Sequence, residues 1–159
     1  MSLPTVSIDQ RAVEAYEKHA EDLLRYACVL VGPTDGEDVL ADAMFKVFTS
    51  TRWSQVREPR RYLFRCVFNQ AASRQRRRAV GTRREQEAWD PTTTVGVSLP
   101  DELGLLRALS VRERAVVYLT YWDDLLPRDV AELLGISEGS VRKYLTRGRN
   151  KLREVWTDE

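Results

Sequence analysis

A chain of 159 residues with 43% hydrophobic and 31% charged residues can bury a core, which excludes a fully disordered protein. Its two cysteines and one histidine stand at no metal-ligand spacing, which argues against a disulfide scaffold or a metal site and fits a reducing cytoplasm. No secretory signal and no membrane-length apolar run is visible, so we expect a cytoplasmic protein without membrane insertion.

The net charge of +1 conceals strong segregation along the chain. Residues 52–84 hold eleven arginines and one glutamate, and residues 139–159 hold six bases and three acids. Residues 1–51 hold nine acids and four bases, and residues 85–138 hold eleven acids and four bases. Two basic segments separated by acidic ones indicate two anion-binding surfaces, with acid-rich faces elsewhere.

Two amphipathic helices are predicted at the start of the chain. The spacing of apolar residues predicts the first from Ile8 to Val31, ended by Gly32-Pro33. Thr34 or Asp35 is expected to cap the second, which carries an apolar stripe up to Phe48. Its polar face is either simply solvated or a docking face for a basic partner, and its charged residues are Glu37, Asp38, Asp42 and Lys46.

Residues 49–59 are expected to form a loop that contains Trp53. Two roles for this indole are open from the sequence. It fills the edge of the core, or it stacks on an unpaired base, since every base offers a π-face.

The segment from Arg60 to Ala79 predicts a helix with one packed face and one polar face. Arginine neutralises phosphates, whereas asparagine and serine can hydrogen-bond base edges. No acid occurs between Arg60 and Arg84, which favours nucleic-acid contact over an ordinary solvated face. The candidate contacts on the polar face are Arg61, Tyr62, Arg65, Asn69, Ser73, Arg76 and Arg77.

Residues 81–100 have no sustained hydrophobic period and predict a flexible linker. The expected fold class is therefore all-α, with two small helical domains at residues 1–80 and 101–159. The second domain begins with a short helix from Asp101. A capping box of Ser110 and Glu113 then starts a longer helix, which ends before Asp123-Asp124.

Residues 127–154 predict a helix-turn-helix. Gly135 suits the left-handed turn between the helices, and Ser137 suits the N-cap of the second one. The apolar arc of that second helix places Tyr144 toward the scaffold. The candidate DNA contacts are Ser137, Gly139, Ser140, Arg142, Lys143, Thr146, Arg147 and Arg149.

Nearly the whole chain resembles the bacterial sigma factors of the extracytoplasmic-function group. Residues 109–122 (LSVRERAVVYLTYW) and 130–142 (VAELLGISEGSVR) are similar to the family's second domain, which reads the −35 promoter element. Residues 36–48 resemble the helix that docks on the polymerase β′ clamp helices. Residues 62–69 and the arginines after them resemble the helix that reads the −10 element.

The resemblance implies an initiation factor that binds core RNA polymerase and directs promoter recognition and melting. It implies no catalysis and no cofactor, and an anti-sigma factor as a further candidate partner. The implied polymerase partners are the β′ clamp helices and the β flap, and the loop around Trp53 would lie near the flipped −10 base. The implied polymerase contacts of the second helix are Glu37, Asp38, Asp42, Phe45 and Lys46.

The sequence departs from the family pattern in four places. The family usually has tryptophan at Tyr62 and often a polar cap at Leu126, where the following proline partly compensates. The usual Lys-Ser-Arg run of the reading helix is Arg142-Lys143-Tyr144 here. Gly148 replaces a usual alanine, at an expected cost of roughly 1 kcal/mol of helix stability.

Two other functions compete with this interpretation. A helix-turn-helix repressor or activator that binds DNA unaided would leave the pattern of residues 36–84 unexplained. An enzyme would have to use acids at a helix start and on a solvated face, where no nucleophile–base arrangement is recognisable. The groups available to such an enzyme are His19, Asp35, Glu37, Asp38 and Asp42.

Overall fold

The computed structural model describes residues 7–81 and 101–157, and within them the side chains of residues 7–78 and 104–157. Every regular element of this described part is helical, which confirms the all-α class. The predicted linker lies, apart from residue 81, outside it. None of the described helices is long and apolar enough to cross a membrane. The helices are α1 (Gln10–Val31), α2 (Pro33–Phe48), α3 (Pro59–Gly81), α4 (Val111–Tyr121), α5 (Pro127–Leu134) and α6 (Glu138–Thr157), with short 3₁₀ helices at Arg52–Gln55 and Asp101–Ala108.

The first two helices meet at a tight corner. Gly32 ends α1 with a φ of 93°, a conformation that glycine adopts at little cost. α2 begins at the next residue, Pro33, whose preset φ suits a first helical position. Thr34 and Asp35 therefore already lie inside the first turn, and the expectation that one of them caps α2 is wrong.

Gly36 lets α1 and α2 approach closely. A Cβ at this position would lie 2.5 Å from the Cys28 Sγ and 2.9 Å from the Cys28 Cα. Because part of this obstacle is backbone, a rotamer change could not relieve it. Cys28 itself is fully buried, and burial raises the pKa of its thiol to about 11.

We therefore expect Gly36→Ala to lower the free energy of unfolding by about 1–3 kcal/mol, as overpacking does in well-packed cores. Denaturant unfolding followed by circular dichroism measures this. Gly139→Ala is the matched control, because its Cβ would meet only the Ser137 Oγ at 3.9 Å. A Gly36→Ala protein as stable as the control would show that the two helices are packed less tightly.

The second half of the chain follows its predicted signals closely. Ser110 and Glu113 form the predicted capping box of α4. Gly135 takes the left-handed conformation after α5, with a φ of 70°. The Ser137 hydroxyl accepts the Ser140 backbone N–H at the start of α6, at 3.0 Å, which confirms the predicted N-cap. Gly135 and Ser137 both lie in the turn that joins α5 to α6.

Two short segments form 3₁₀ helices that the sequence did not predict. The loop predicted at residues 49–59 contains the 3₁₀ helix Arg52–Gln55. The short helix predicted from Asp101 is a 3₁₀ helix. Short connectors of this kind commonly take the tighter i→i+3 winding.

One hydrophobic core runs through both halves of the molecule. Tyr26 of α1 stacks on Phe64 of α3 with ring centroids 4.8 Å apart, and it also contacts Tyr118 of α4 at 5.6 Å. Arg114 of α4 donates a hydrogen bond of 2.7 Å to the Leu30 carbonyl oxygen at the end of α1. The two predicted domains are therefore packed against each other in this structure.

Candidate nucleic-acid and protein interfaces

α6 is held on its scaffold by a close contact and an ion pair. Gly148 is buried against α4, where a Cβ would lie 2.9 Å from the Val117 Cγ2. Lys151 donates to the Glu113 carboxylate at 2.6 Å. Burial alone would raise the pKa of Glu113, but the bonds from Lys151 and Ser110 outweigh it and leave the pKa below its ordinary value. The close packing of α6 on α4 thus explains Gly148, for which the sequence predicted only a loss of helix stability.

The outer side of α6 carries most of the predicted DNA contacts, and we call it the reading face. Tyr144 is half-buried against the core, which confirms its predicted orientation toward the scaffold. Arg142 pairs with Glu138 one turn earlier at 2.9 Å, and the Arg149 Nε donates to the Tyr121 hydroxyl at 2.5 Å. The exposed members of the reading face are Ser137, Gly139, Arg142, Lys143, Thr146, Arg147 and Arg149, and Ser140 is half-buried.

The predicted polar residues of α3, which we call the arginine face, divide into two groups. Toward its C-terminal end, Asn69, Arg76 and Arg77 are exposed and Ser73 is half-buried. Toward its N-terminal end, Arg61, Tyr62 and Arg65 are half-buried. This second group lies beside α5, although α5 is distant in the sequence.

Several groups of α5 contact those arginines directly. Arg61 pairs with Asp129 at 3.5 Å and with Glu132 at 3.7 Å, besides its neighbour Glu58 at 3.0 Å. The Arg65 Nε donates to the Leu133 carbonyl oxygen at 2.9 Å, and its Nη2 donates to the Glu132 carbonyl oxygen. Two of the acids that face Arg61 are therefore supplied by the other half of the chain.

Arg60 of α3 also contacts the second half of the chain, although it was not among the predicted DNA contacts. Arg60 forms two hydrogen bonds with the Asp123 carboxylate, at 2.8 and 3.0 Å. Its guanidinium also lies 3.8 Å from Asp22 and over the Phe64 ring. The hydrogen bond to Asp123 raises the pKa of Arg60, and the effect of burial is smaller. The segregated charge of the sequence was the only signal of this contact.

Trp53 is buried, with 7% of its surface exposed. Its ring meets Tyr62 edge-on, with centroids 6.0 Å apart. Of the two roles open from the sequence, this position matches the indole that fills the edge of the core. Tyr62 itself is half-buried and lines a cleft of about 260 Å³ with Lys46, Arg52 and Asn69.

The outer side of α2 carries the five predicted polymerase contacts, and we call it the docking face; all five residues are exposed. Phe45 has 68% of its surface in solvent, although the neighbouring Met44 and Val47 are buried. A large exposed aromatic next to charged side chains is typical of a protein-binding surface. The members of the docking face are Glu37, Asp38, Asp42, Phe45 and Lys46.

Asp35 ties the start of α2 to the end of α3. Its buried carboxylate accepts hydrogen bonds from Arg74 at 3.0 Å and from Arg78 at 2.8 Å. These two bonds join α2 to α3. They therefore fix the position of the docking face, on α2, relative to the arginine face, on α3. It also leaves Arg76 and Arg77 exposed between the two paired arginines.

We expect Asp35→Asn to cost about 1.5–3 kcal/mol of unfolding free energy, since it weakens two charge-assisted hydrogen bonds of a buried group. Asp38→Asn is the control, because that exposed carboxylate lies 4.0 Å from Arg74, and a surface change of this kind costs roughly 0.5 kcal/mol at most. Thermal unfolding compares the two variants. Equal midpoints would contradict a structural role for Asp35.

The acids that an enzyme would need are dispersed. Asp35 is committed to two arginines, whereas Glu37, Asp38 and Asp42 stand exposed on α2. His19 lies on α1, where burial lowers the pKa of its imidazole, as do Arg60 and Lys18. Within the described residues, no cluster of three or more His, Cys, Asp or Glu side chains could hold a metal ion.

Known sequences are similar to this chain over both of its halves. A family model described as Sigma-70, region 4, matches residues 103–152. The RNA polymerase sigma-E factor of Streptomyces coelicolor is 31% identical over 150 residues, which covers 89% of this chain and 84% of that protein. The ECF RNA polymerase sigma factor SigL of Mycobacterium tuberculosis is 29% identical over 143 residues, covering 82% of this chain and 80% of that protein.

The fold is also similar to that of a solved structure. The sigma factor RpoE of Bartonella quintana, in complex with the anti-sigma factor NepR, matches with a TM-score of 0.66. The match covers 93% of this chain and 95% of that chain at 22% sequence identity. At 22% sequence identity, the similarity shows that the two proteins share the arrangement of their helices.

Proposed function

The chain belongs to the bacterial RNA polymerase sigma factors of the extracytoplasmic-function group, and on this basis we propose that it is a transcription initiation factor. It binds core RNA polymerase and directs the recognition and melting of promoters. The observation that carries this function is the pairing, in one chain, of an exposed docking face on α2 with a reading face on α6. It acts in the cytoplasm, where polymerase and promoter DNA are, and needs no catalytic group or cofactor.

The docking face is the proposed contact with the β′ clamp helices. Its acids suit a basic partner surface. Phe45 supplies an aromatic anchor, since the partner would cover the side chain that is exposed in the free protein. The second half of the chain is the proposed contact with the β flap. An anti-sigma factor is a further proposed partner, supported by the similar fold of a sigma factor solved with one.

The arginine face is the proposed contact with the −10 element. Exposed Arg76 and Arg77 can neutralise phosphates, whereas Asn69 can hydrogen-bond a base edge beside the Tyr62 cleft. A base held in that cleft could not re-pair, so its capture would favour strand separation. Trp53 supports this cleft from behind through its edge contact with Tyr62.

The reading face is the proposed contact with the −35 element. Arg142, Lys143 and Arg147 are exposed along one side of α6, where a helix in the major groove presents its side chains to base edges. Arg149 and Arg153 lie further along α6 and suit phosphate contacts. The domains proposed for the two elements are residues 1–80 and 101–159, with residues 81–100 as the linker.

A gel-shift experiment on a pool of genomic promoter fragments separates this function from that of a self-sufficient repressor or activator. Two weak DNA-binding modules give useful avidity only when the polymerase sets their spacing. We expect the chain alone to retain no discrete fragment, and the chain with core polymerase to retain a specific subset. Tight fragment-specific binding by the chain alone, as a dimer, would favour the alternative.

A further inference from the structure

A second cleft, of about 380 Å³, lies where the 3₁₀ helix Arg52–Gln55 and the start of α3 meet α5. Its volume falls in the range of small-molecule sites, roughly 300–1,000 Å³. Glu132 and Leu133 of α5 form one wall. We call it the guanidinium cleft, because its lining includes four arginines, Arg52, Arg57, Arg61 and Arg65.

Two of the four arginines are already engaged by protein groups. Arg61 pairs with Glu58 at 3.0 Å and with Glu132 at 3.7 Å, and Arg65 donates to backbone carbonyl oxygens of α5. The side chains of Arg52 and Arg57 are exposed and, within the described residues, form no hydrogen bond or ion pair. These two guanidinium groups can therefore bind an anion without first giving up a partner.

The charge around the guanidinium cleft favours such an anion. Its four arginines stand against two carboxylates, those of Glu58 and Glu132. α3 begins at Pro59, next to this lining, and its first turn carries no acid, so the positive end of the helix dipole adds to the field. A guanidinium fork matches paired phosphate oxygens, which makes a chain of phosphates the anion that two neighbouring arginines suit best.

The uncharged part of the lining suits a flat ring. Tyr62 offers an aromatic side chain and Val56 an aliphatic one, and both are half-buried in the cleft wall. An aromatic side chain can stack on any nucleobase, because every base has a π-face. A continuous nucleic-acid strand fits less well, since the exposed Glu132 carboxylate of α5 would repel the phosphates that run on past the cleft.

We propose that the guanidinium cleft binds a nucleoside polyphosphate, with the phosphates on Arg52 and Arg57 and the base against Tyr62. Arg52 and Arg57 belong to neither of the two sets of proposed promoter contacts. The site therefore goes beyond the proposed function and needs neither polymerase nor promoter DNA. A ligand held there touches both halves of the chain, because α5 supplies part of the lining.

Isothermal titration calorimetry of the full chain with ATP, in a phosphate-free buffer, tests the site. We expect one ATP per chain, and a loss of about tenfold or more in affinity for Arg52→Gln with Arg57→Gln, which removes the charged donors. Arg112→Gln with Arg128→Gln is the matched control. It removes the same charge from two exposed arginines outside the cleft and should bind ATP like the wild type.

Further titrations separate the parts of the ligand. Inorganic tripolyphosphate should bind more weakly than ATP and should lose affinity in the same arginine variant. Tyr62→Leu should weaken ATP binding roughly fivefold or more, the value of a lost stacking contact, and leave tripolyphosphate binding unchanged. Tripolyphosphate that binds as tightly as ATP, or a Tyr62→Leu loss that is equal for both probes, would overturn the assignment of a nucleoside.

Two results would overturn the site itself. One is the absence of ATP binding, or an equal loss in the arginine variant and its control, since general attraction to a basic surface would explain the latter. The other is a single-stranded oligonucleotide that displaces ATP and binds more tightly than it, which would assign the cleft to nucleic acid. Circular dichroism checks that each variant is folded. Run-off transcription with core polymerase reports separately on the proposed function.

Discussion

Glu37→Lys together with Asp38→Lys is expected to weaken binding to core RNA polymerase by about 100-fold or more. Like charges brought face to face across an interface cost several kcal/mol, and each 1.4 kcal/mol is a factor of ten in Kd. Both side chains are exposed on α2, so the exchange should leave the fold intact. Co-purification and a titration with core enzyme measure the effect.

The same docking face offers a test that does not depend on charge. Phe45→Ala removes an anchor that is 68% exposed in the free protein, and we expect a loss of about 2 kcal/mol in polymerase binding, the scale of an interface hot spot. Glu14→Lys with Glu17→Lys on the exposed side of α1 reproduces the charge change elsewhere and should bind core enzyme normally. If the α2 variants bind as tightly as this control, the docking face is misassigned.

Lys143→Ala and Arg147→Ala are each expected to weaken initiation at a cognate promoter by roughly 1–3 kcal/mol, the value of a good base contact. Both side chains are exposed on α6 and can be removed without opening the core. Single-round transcription from the cognate promoter and from variants of its −35 element measures the loss. A base contact gives a loss that depends on the −35 sequence.

Arg153→Ala is the companion variant, because this exposed residue lies near the end of α6 and is a proposed phosphate contact. Its loss should be similar for every promoter and should shrink with added salt. Should Lys143→Ala and Arg147→Ala also reduce all promoters equally, they would be reassigned to phosphates. The specificity of the reading face would then have to come from other side chains.

Local signals in the sequence predicted the helices and the caps of the second half of the chain. The capping box at Ser110, the left-handed Gly135 and the N-cap at Ser137 each depend on bonds within a few residues. Such bonds leave a direct mark in the sequence, since the required residue types stand at fixed offsets. The helical period predicted which residues of α2 and α6 face outward, whereas the polymerase contacts assigned to α2 came from the family resemblance.

The features that the sequence did not reveal depend on contacts between distant segments. Asp35 is a plausible cap by its position, yet it pairs with arginines of α3 because α2 starts one residue after the Gly32 corner. Trp53 is an aromatic in a predicted loop, and only the packing of Tyr62 shows that it faces inward. The junction of Arg60 with Asp123 joins residues 63 positions apart.

Promoter-specific initiation is the central claim, and run-off transcription with purified core polymerase over a genomic promoter pool tests it most directly. With the chain present, we expect discrete start sites that share two upstream elements, and these sites should be absent with core enzyme alone. Start sites that are the same with and without the chain, or no start sites with a chain that binds core enzyme, would contradict the claim.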